Sequence, residues 1–224
     1  MARMIPIESF IPLVTVHASE APHPVVEQQI RLAAIEFCER TRCWRHVFRR
    51  EVSCPGGPIR IIPPYATIFE FEFAYFNDAV LTPTQLTDID FEPTQDDAFS
   101  APPTHISQIE PGQVILFPRS NEPGLIYLSA FLKPIGSDDW NGGTYDTGED
   151  DDLNMLPDFM LVQHAETIAR GALARILAIP GQTYTDMARA GAYAADFRDR
   201  MDTRFNTGLR GQQRAPARSK THSF

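Results

Sequence analysis

The hydrophobic period of the sequence changes twice, and this double change limits the folds that the chain can adopt. Apolar residues recur at helical spacing in residues 24–45 and again in residues 157–179 and 185–206. Between residues 47 and 134 the period is two, most clearly in Thr67–Phe76, where aromatic residues occupy every second position. We therefore predict an α+β fold, an antiparallel helical bundle with an inserted antiparallel β-sheet or small barrel.

Short turn sequences rich in proline and glycine separate the candidate strands. Residues 54–58 read CPGGP, and Pro-Gly pairs recur at 111–112 and 123–124. Linkers of this length cannot contain crossover helices, so successive strands should pair antiparallel. The candidate strands are residues 47–53, 59–62, 67–76, 85–91, 113–117 and 125–132.

The two ends of the chain lack the pattern of packed elements. Three prolines interrupt residues 1–23, which we predict to be an extended N-terminal arm. Residues 209–224 are polar and basic without apolar periodicity, so we predict a C-terminal tail that is disordered when free in solution. Residues 24–208 then form one domain, large enough to bury a conventional core without disulfides or structural metal.

The charge of the chain is divided between this body and the tail. The full chain has a formal net charge of −9, from 20 bases and 29 acids. Five of the bases and none of the acids follow residue 203, so the first 203 residues hold 15 bases against 29 acids, a net −14. Such an acidic body argues against a protein that coats nucleic acid. For the basic tail, docking on another protein is favoured over phosphate binding, because the body would repel a duplex.

Residues 137–155 are the most acidic segment, and we predict a loop there. Between Asp138 and Asp158 the sequence has eight acids and no base, which is typical of a solvated loop. The order DTGEDDD at 146–152 lacks the alternating ligand positions and the turn glycine of a calcium loop. A metal site is therefore not expected in this segment.

The sequence contains no signature of an enzyme. It has no G-x-S-x-G elbow, Walker loop, dinucleotide fingerprint or H-E-x-x-H helix. Glu70 and Glu72 share a strand face, which suits acid and base roles, but solubility of an edge strand explains them equally well. His164 has no sequence neighbour that completes a site and is interpreted as a packing residue. We predict a non-enzymatic protein without metal or cofactor.

The cysteines and the apolar segments indicate an intracellular chain without a membrane anchor. Cys38 and Cys43 lie about 140° apart on a helix that runs to residue 45, so we expect buried free thiols that do not share a site. No stretch approaches the roughly 18 apolar residues of a membrane span, and prolines interrupt the N-terminus as a signal sequence. We expect synthesis in the cytoplasm and no membrane contact.

The segment at residues 8–47 carries a family resemblance. It reads ESFIPLVTVHASEAPHPVVEQQIRLAAIEFCERTRCWRHV. A short arm is followed by a helix that begins at a proline, and this helix leads directly into strands. This order resembles the start of head-to-tail adaptor, or neck, proteins of tailed bacteriophages. The later order, a sheet, two helices rich in small residues and a basic tail, is similar to the tail-tubular adaptors of short-tailed phages.

The resemblance implies a structural virion protein that joins the portal to the tail as a ring of twelve copies. Its partners would be the portal protein and a tail or nozzle protein, and DNA would pass through without sequence-specific binding. Portal binding would involve Arg210, Arg214, Arg218, Lys220 and Phe224. An acidic loop facing the channel or the tail would present Asp146, Glu149, Asp150, Asp151 and Asp152. Subunits would pack through Leu161, Ile168, Ile176, Met187, Phe197 and Met201.

Three other functions are compatible with the sequence. Another ring component of the same connector, such as a stopper or a tail terminator, would share the organisation of the chain. A soluble nucleic-acid-binding regulator would use the basic tail on phosphates, with an affinity that falls steeply with salt. A hydrolase that uses Glu70, Glu72 or the acidic cluster is the weakest alternative.

Overall fold

The computed structural model describes residues 3–53, 57–61, 63, 65–88, 102–110, 112–119, 122–135 and 154–209. The α-helices in these residues are α1 (Ile11–Thr15), α2 (His23–Thr41), α3 (Asp158–Ile176) and α4 (Met187–Leu209). The strands are β1 (Met4–Pro6), β2 (Arg45–Val52), β3 (Ile59–Arg60), β4 (Ala66–Phe76), β5 (Ala79–Pro83), β6 (His105–Glu110), β7 (Gln113–Phe117), β8 (Gly124–Pro134) and β9 (Met155–Pro157).

The N-terminal segment is folded, and the prediction of an extended arm is wrong. β1 pairs antiparallel with β9, and a 3-10 helix at Ile7–Phe10 leads into α1. Ile7 and Val14 are fully buried in the core. The prolines stand at the starts of short elements: Pro6 precedes the 3-10 helix, and Pro12 lies in the first turn of α1, where its missing N–H would have no helical partner anyway.

Seven strands form one nearly closed sheet in the order β2-β8-β4-β5-β6-β7-β3. The pairs are antiparallel except for β5 and β6, which run parallel with Thr82 opposite His105. The edge strands approach each other, because the Arg50 guanidinium on β2 donates to the backbone carbonyl of Arg60 on β3. Two register shifts in β4 add curvature to the sheet.

The size of this sheet corrects the predicted fold class. A helical bundle with a small inserted sheet is wrong, because the sheet is large, nearly closed and seven-stranded, in a mixed α/β fold that matches α+β only loosely. The three long helices do pack on one another, but α2 also packs on β8. Their apolar faces therefore join a core shared with the sheet instead of enclosing one of their own.

The predicted sheet was too small because some of its short strands show no alternation in the sequence. In β5 only Leu81 is buried, so the strand shows no alternation in the sequence. β6 was also missed, and its two buried residues, Ile106 and Ser107, are adjacent in sequence. The strand expected at residues 85–91 is wrong where the structure describes it, since Leu86–Asp88 is a 3-10 helix. Residues 89–91 lie outside the described residues.

Gly171 lies where α3 contacts both α2 and α4. A Cβ atom at this position would come within 2.8 Å of the Phe197 ring on α4 and 3.0 Å of the Ala33 methyl group on α2. An alanine would therefore have to push both neighbours away. Gly191 on α4 provides the contrast, because a Cβ atom there would meet no atom within 4 Å.

We predict different effects of alanine at these two glycines. Gly191→Ala should stabilise the protein by about 0.5 to 1 kcal/mol, because alanine is the better helix former. Gly171→Ala gains the same propensity but displaces Phe197 and Ala33, so its free energy of unfolding should lie at least about 1 kcal/mol below that of Gly191→Ala. Urea unfolding measures both values, and equal stabilities would contradict the close packing of the three helices.

Candidate functional site

Most of the sequence-predicted site residues lie outside the described residues, and their roles stay predictions. These are the portal-binding residues Arg210, Arg214, Arg218, Lys220 and Phe224 and the acidic residues Asp146, Glu149, Asp150, Asp151 and Asp152. The structure does place the elements that carry these segments. The acidic segment connects β8 to β9, and the basic segment follows the end of α4 at Leu209.

The six residues predicted to pack between subunits differ in their exposure. Four of them are buried in the core of their own chain, namely Ile168, Ile176, Phe197 and Met201. Leu161 packs partly buried against the same core. Met187, at the start of α4, is 67% exposed. Of these six residues, only Met187 therefore presents a largely exposed side chain to a neighbouring molecule.

At the junction between α2 and β2, three arginines form ion pairs with acidic residues of α4 and β4. α2 ends at Thr41, four residues before its predicted end. Arg42 follows in the left-handed conformation, with φ 52° and ψ 34°, and its N–H donates to the carbonyl oxygen of Cys38 at 2.8 Å. This is an αL cap, a helix end at which glycine is the usual residue. The chain reverses there and enters β2 at Arg45.

Two arginines at the turn between α2 and β2 bind residues near the end of α4. Arg40 donates two hydrogen bonds to Asp202, at 2.8 and 3.1 Å. The guanidinium carbon of Arg42 lies 5.8 Å from the centroid of the Phe205 ring, a cation–π contact. The last turns of α4 are thereby held beside the end of α2. The predicted basic tail begins directly after these turns.

The same reversal is tied to β4 by two carboxylates. Arg42 donates two hydrogen bonds to Glu70, at 2.7 and 3.1 Å, and Arg45 donates one to Glu72 at 2.6 Å. Glu72 also accepts a hydrogen bond from the Ser129 hydroxyl at 2.8 Å. The two carboxylates that suit acid and base roles by their spacing are thus engaged in ion pairs. We call this set the arginine junction: Arg40, Arg42 and Arg45.

A cleft of about 330 Å³ opens beside the arginine junction. Arg45 and Arg204 make it cationic, and His46 contributes an imidazole whose pKa is lowered by burial. The cleft lies between β2 and the helices α3 and α4. Its lining residues are Cys43, Trp44, Arg45, His46, Phe159, Gln163 and Arg204.

Cys43 lines this cleft, whereas Cys38 is buried in the core. The prediction for these two residues assumed a helix that continues to residue 45, and that boundary is wrong, because α2 ends at Thr41 and Arg42 is left-handed. Both are free thiols; Cys38 is buried and Cys43 is partly exposed. The third cysteine, Cys54, lies outside the described residues.

His164 packs among aromatic rings, as the sequence predicts for a packing residue. Its ring centroid lies 4.8 Å from that of Phe37 and 6.4 Å from that of Phe159. Within the described part of the chain, its buried Nε2 atom has no hydrogen-bond partner. Burial, followed by the charge of Arg204, lowers the pKa of His164 to about 4. The imidazole is therefore neutral at pH 7.

A group of aromatic rings lies on the face of β4 and β8 that also carries Glu72 and Ser129. Phe73 and Tyr127 stack with ring centroids 5.9 Å apart, and Tyr75 contacts both rings. Tyr127 is 38% exposed and lines a groove of about 580 Å³ together with Tyr75. We call these residues the aromatic cluster: Phe73, Tyr75 and Tyr127. Exposed apolar surface of this kind is typical of a protein-interaction face.

Among the residues that the structure describes, no group of three or more His, Cys, Asp or Glu side chains is placed to hold a metal ion. Nor does any helix in the described ranges have the length and apolar composition to cross a membrane. No protein-family model matches the chain, and a search of curated proteins finds no match.

We predict that the backbone conformation of Arg42 can be separated from its contacts. Arg42→Ala and Arg42→Gly both remove the bonds to Glu70 and the contact with Phe205. Only alanine retains the cost of a left-handed residue, so Arg42→Gly should be the more stable variant by about 1 kcal/mol. Urea unfolding measures this difference. An alanine variant as stable as the glycine variant would contradict the αL cap.

The lowered pKa of His164 predicts a stability that depends on pH. The unfolded chain binds a proton near the ordinary pKa of 6.5, whereas the folded protein keeps the imidazole neutral down to about pH 4. The buried neutral imidazole makes its full contribution to the free energy of unfolding above pH 6.5. This contribution is lost as the pH falls towards 4, by up to about 3 kcal/mol. Urea unfolding from pH 4 to 7 measures the loss. His164→Leu should reduce it, whereas His23→Leu, at an exposed position, should not; an unchanged slope in His164→Leu would refute this assignment.

Proposed function

We propose that this chain is a structural phage virion protein, a head-to-tail adaptor that forms a ring between the portal and the tail and completes the DNA-filled head. The observation that carries the proposal is the anchoring of α4. Arg40 and Arg42 fix its last turns to the body, and the basic residues 210–224 follow directly. A rigid helix end thus presents a basic peptide at a fixed place on an acidic body, which suits the capture of that peptide in a cleft of another protein.

The division of charge supports a ring through which DNA passes. The first 203 residues carry a net −14, from 15 bases and 29 acids. An acidic wall repels DNA over about one Debye length, roughly 8 Å at physiological salt, and so prevents tight binding. The acidic segment between β8 and β9 would face the channel or the tail side. The basic segment would then make the contact with the portal protein.

Contacts between subunits are better assigned to exposed apolar side chains than to the buried helix residues. Leu13, Val16, Val162 and Met187 are exposed on or beside α1, α3 and α4. Val162 follows Leu161 in α3, about 100° further around the helix, and is 80% exposed. Burial of such side chains stabilises a subunit interface, whereas Ile168 already packs within its own chain. We propose that the twelve copies in the ring contact one another through these exposed side chains of the helices.

The aromatic cluster is our candidate for the surface that meets the tail or nozzle protein. It lies on β4 and β8 of the sheet, whereas Leu13, Val162 and Met187 belong to helices. Phe69 and Val47 are exposed on the neighbouring stretches of β4 and β2 and extend the apolar area. Aromatic side chains are enriched in protein interfaces because each buries a large area at little cost in entropy.

The ion pairs of Glu70 and Glu72 argue against the hydrolase alternative. A general acid or base must approach a substrate proton, and both carboxylates are instead bonded to Arg42 and Arg45. A stopper or a tail terminator would share the body of the fold and differ in the partner of the tail. A nucleic-acid-binding regulator would bind DNA through the same tail. Identifying the molecule that binds residues 210–224 therefore distinguishes these functions from one another.

Removal of the basic segment should abolish portal binding without unfolding the protein. A chain ending at Leu209 keeps all contacts of the arginine junction and should unfold as the full chain does. In a pull-down at physiological salt, we expect a phage portal protein from the same source to retain the full chain and to lose the shortened chain. A matched variant with Arg210, Arg214, Arg218 and Lys220 changed to Gln tests charge at constant length.

The same experiment distinguishes the alternatives. Portal binding that survives the truncation would contradict the adaptor assignment and support a tail terminator. Retention of duplex DNA by the full chain, with an affinity that falls steeply with salt, would support the regulator instead.

A further inference from the structure

Arg204 on α4 is a partly buried cation whose own helix offers it no acidic partner. The positions three and four residues away along the helix carry no acid: they are Arg200, Met201, Thr207 and Gly208. Arg200, by contrast, forms ion pairs with Asp196 at 3.1 Å and Glu166 at 3.3 Å. Among the residues that the structure describes, no carboxylate forms an ion pair with Arg204.

The Arg204 side chain lines two spaces at once. One is the cleft of about 330 Å³ beside the arginine junction, and the other is a cavity of about 400 Å³ between α2, α3 and α4. Phe37 on α2 and His164 and Thr167 on α3 form walls of this cavity. Spaces of roughly 300 to 1,000 Å³ are typical of sites for small organic ligands.

His164 contributes a buried polar atom to the wall of the same cavity. The residue is 9% exposed, and its Nε2 atom makes no hydrogen bond to any residue in the described ranges. A neutral imidazole carries one hydrogen, and with that hydrogen on Nε2 the ring is a donor at this atom. A buried donor without an acceptor is unfavourable, so a ligand that supplies an acceptor oxygen gains from binding here.

We propose that Arg204 and His164 form a binding site for the carboxylate group of a small organic acid. The planar fork of the guanidinium matches the two oxygens of a carboxylate, and the imidazole would donate a further hydrogen bond to one of them. A carboxylate has the single negative charge that one arginine without an ion pair balances. The ring of Phe37 gives the hydrocarbon part of such an acid an apolar wall.

Asp199 is the acidic residue in the lining of the cavity and opposes the charge of a bound carboxylate. Its position is exposed, so solvent screens this repulsion. The positive charge of Arg200, which lines the same cavity, also opposes it. The inference stands on the contacts of α2, α3 and α4 and is independent of the adaptor assignment.

Nuclear magnetic resonance of the full chain with acetate as the probe tests the proposal. Acetate replaces chloride stepwise at pH 7 and constant ionic strength, and the imidazole signals of the histidines are followed. We expect the signals of His164 to shift until they saturate, whereas those of the exposed His23 and His105 stay in place. Unchanged His164 signals, or a shift without saturation shared by all three histidines, would overturn the proposal.

Matched variants identify the groups that bind acetate, with the dissociation constant measured from the methyl signal of the ligand. Arg204→Gln should weaken binding at least about tenfold, because charge-assisted hydrogen bonds are lost. Arg198→Gln, an exposed position on the same helix, removes the same charge and should change binding by less than about twofold. His164→Phe keeps a ring beside Phe37 and Phe159 and should weaken binding by at least about threefold.

A further variant and a second anion exclude a general effect of charge. If Arg204→Gln folds poorly, Arg204→Lys keeps the charge without the fork and should still weaken acetate binding by at least about threefold. Equal effects of the substitutions at residues 204 and 198 would overturn the site. Inorganic phosphate that binds as tightly as acetate would overturn the assignment to carboxylates.

Discussion

The left-handed residue at the end of α2 is the constraint on which the other contacts depend. Arg42 ends the helix, turns the chain into β2 and brings its own side chain between β4 and α4. A non-glycine residue in this conformation costs about 1 to 2 kcal/mol. Its two hydrogen bonds to Glu70 and its contact with Phe205 offset that cost. Sheet and helices are therefore joined at a residue whose backbone conformation is unfavourable for a non-glycine residue.

This constraint also sets the path of the chain after α2 and the position of the end of α4. Because the chain turns at Arg42, Cys43 lies outside α2 and lines the cleft beside β2. Arg40, one residue before the end of α2, binds Asp202 and thereby orients the turn of α4 that precedes the basic segment. The acidic body and the basic segment thus meet at a structured junction. A peptide presented in this way needs less ordering to bind a partner than one that emerges from a mobile end.

The sequence predicts the parts of this structure that have a clear local period. The three long helices and β4 are found where their apolar spacing indicates, and β8 also follows its alternation. β5 could not be predicted, because its single buried residue, Leu81, leaves no period. The N-terminal segment does have helical spacing in its buried residues Ile7, Phe10, Ile11 and Val14, but its prolines suggested interruptions, whereas they stand at the starts of short elements. The arginine junction was also missed. Arginines near a helix C-terminus are favourable to the helix dipole, so their presence in the sequence does not indicate a further role. Their pairing with Glu70 and Glu72 can be predicted only when the order of the strands is known. The end of α2 was misplaced because Arg42 occupies a position where glycine is the usual signal.

We propose that this chain joins a portal to a tail, and electron microscopy of the mixed proteins tests this proposal most directly. The full chain is combined with a phage portal protein from the same source and imaged by negative stain. Our account predicts a second ring stacked on the portal ring, with the same number of subunits. Discrete portal rings beside unbound particles of this chain would contradict the account.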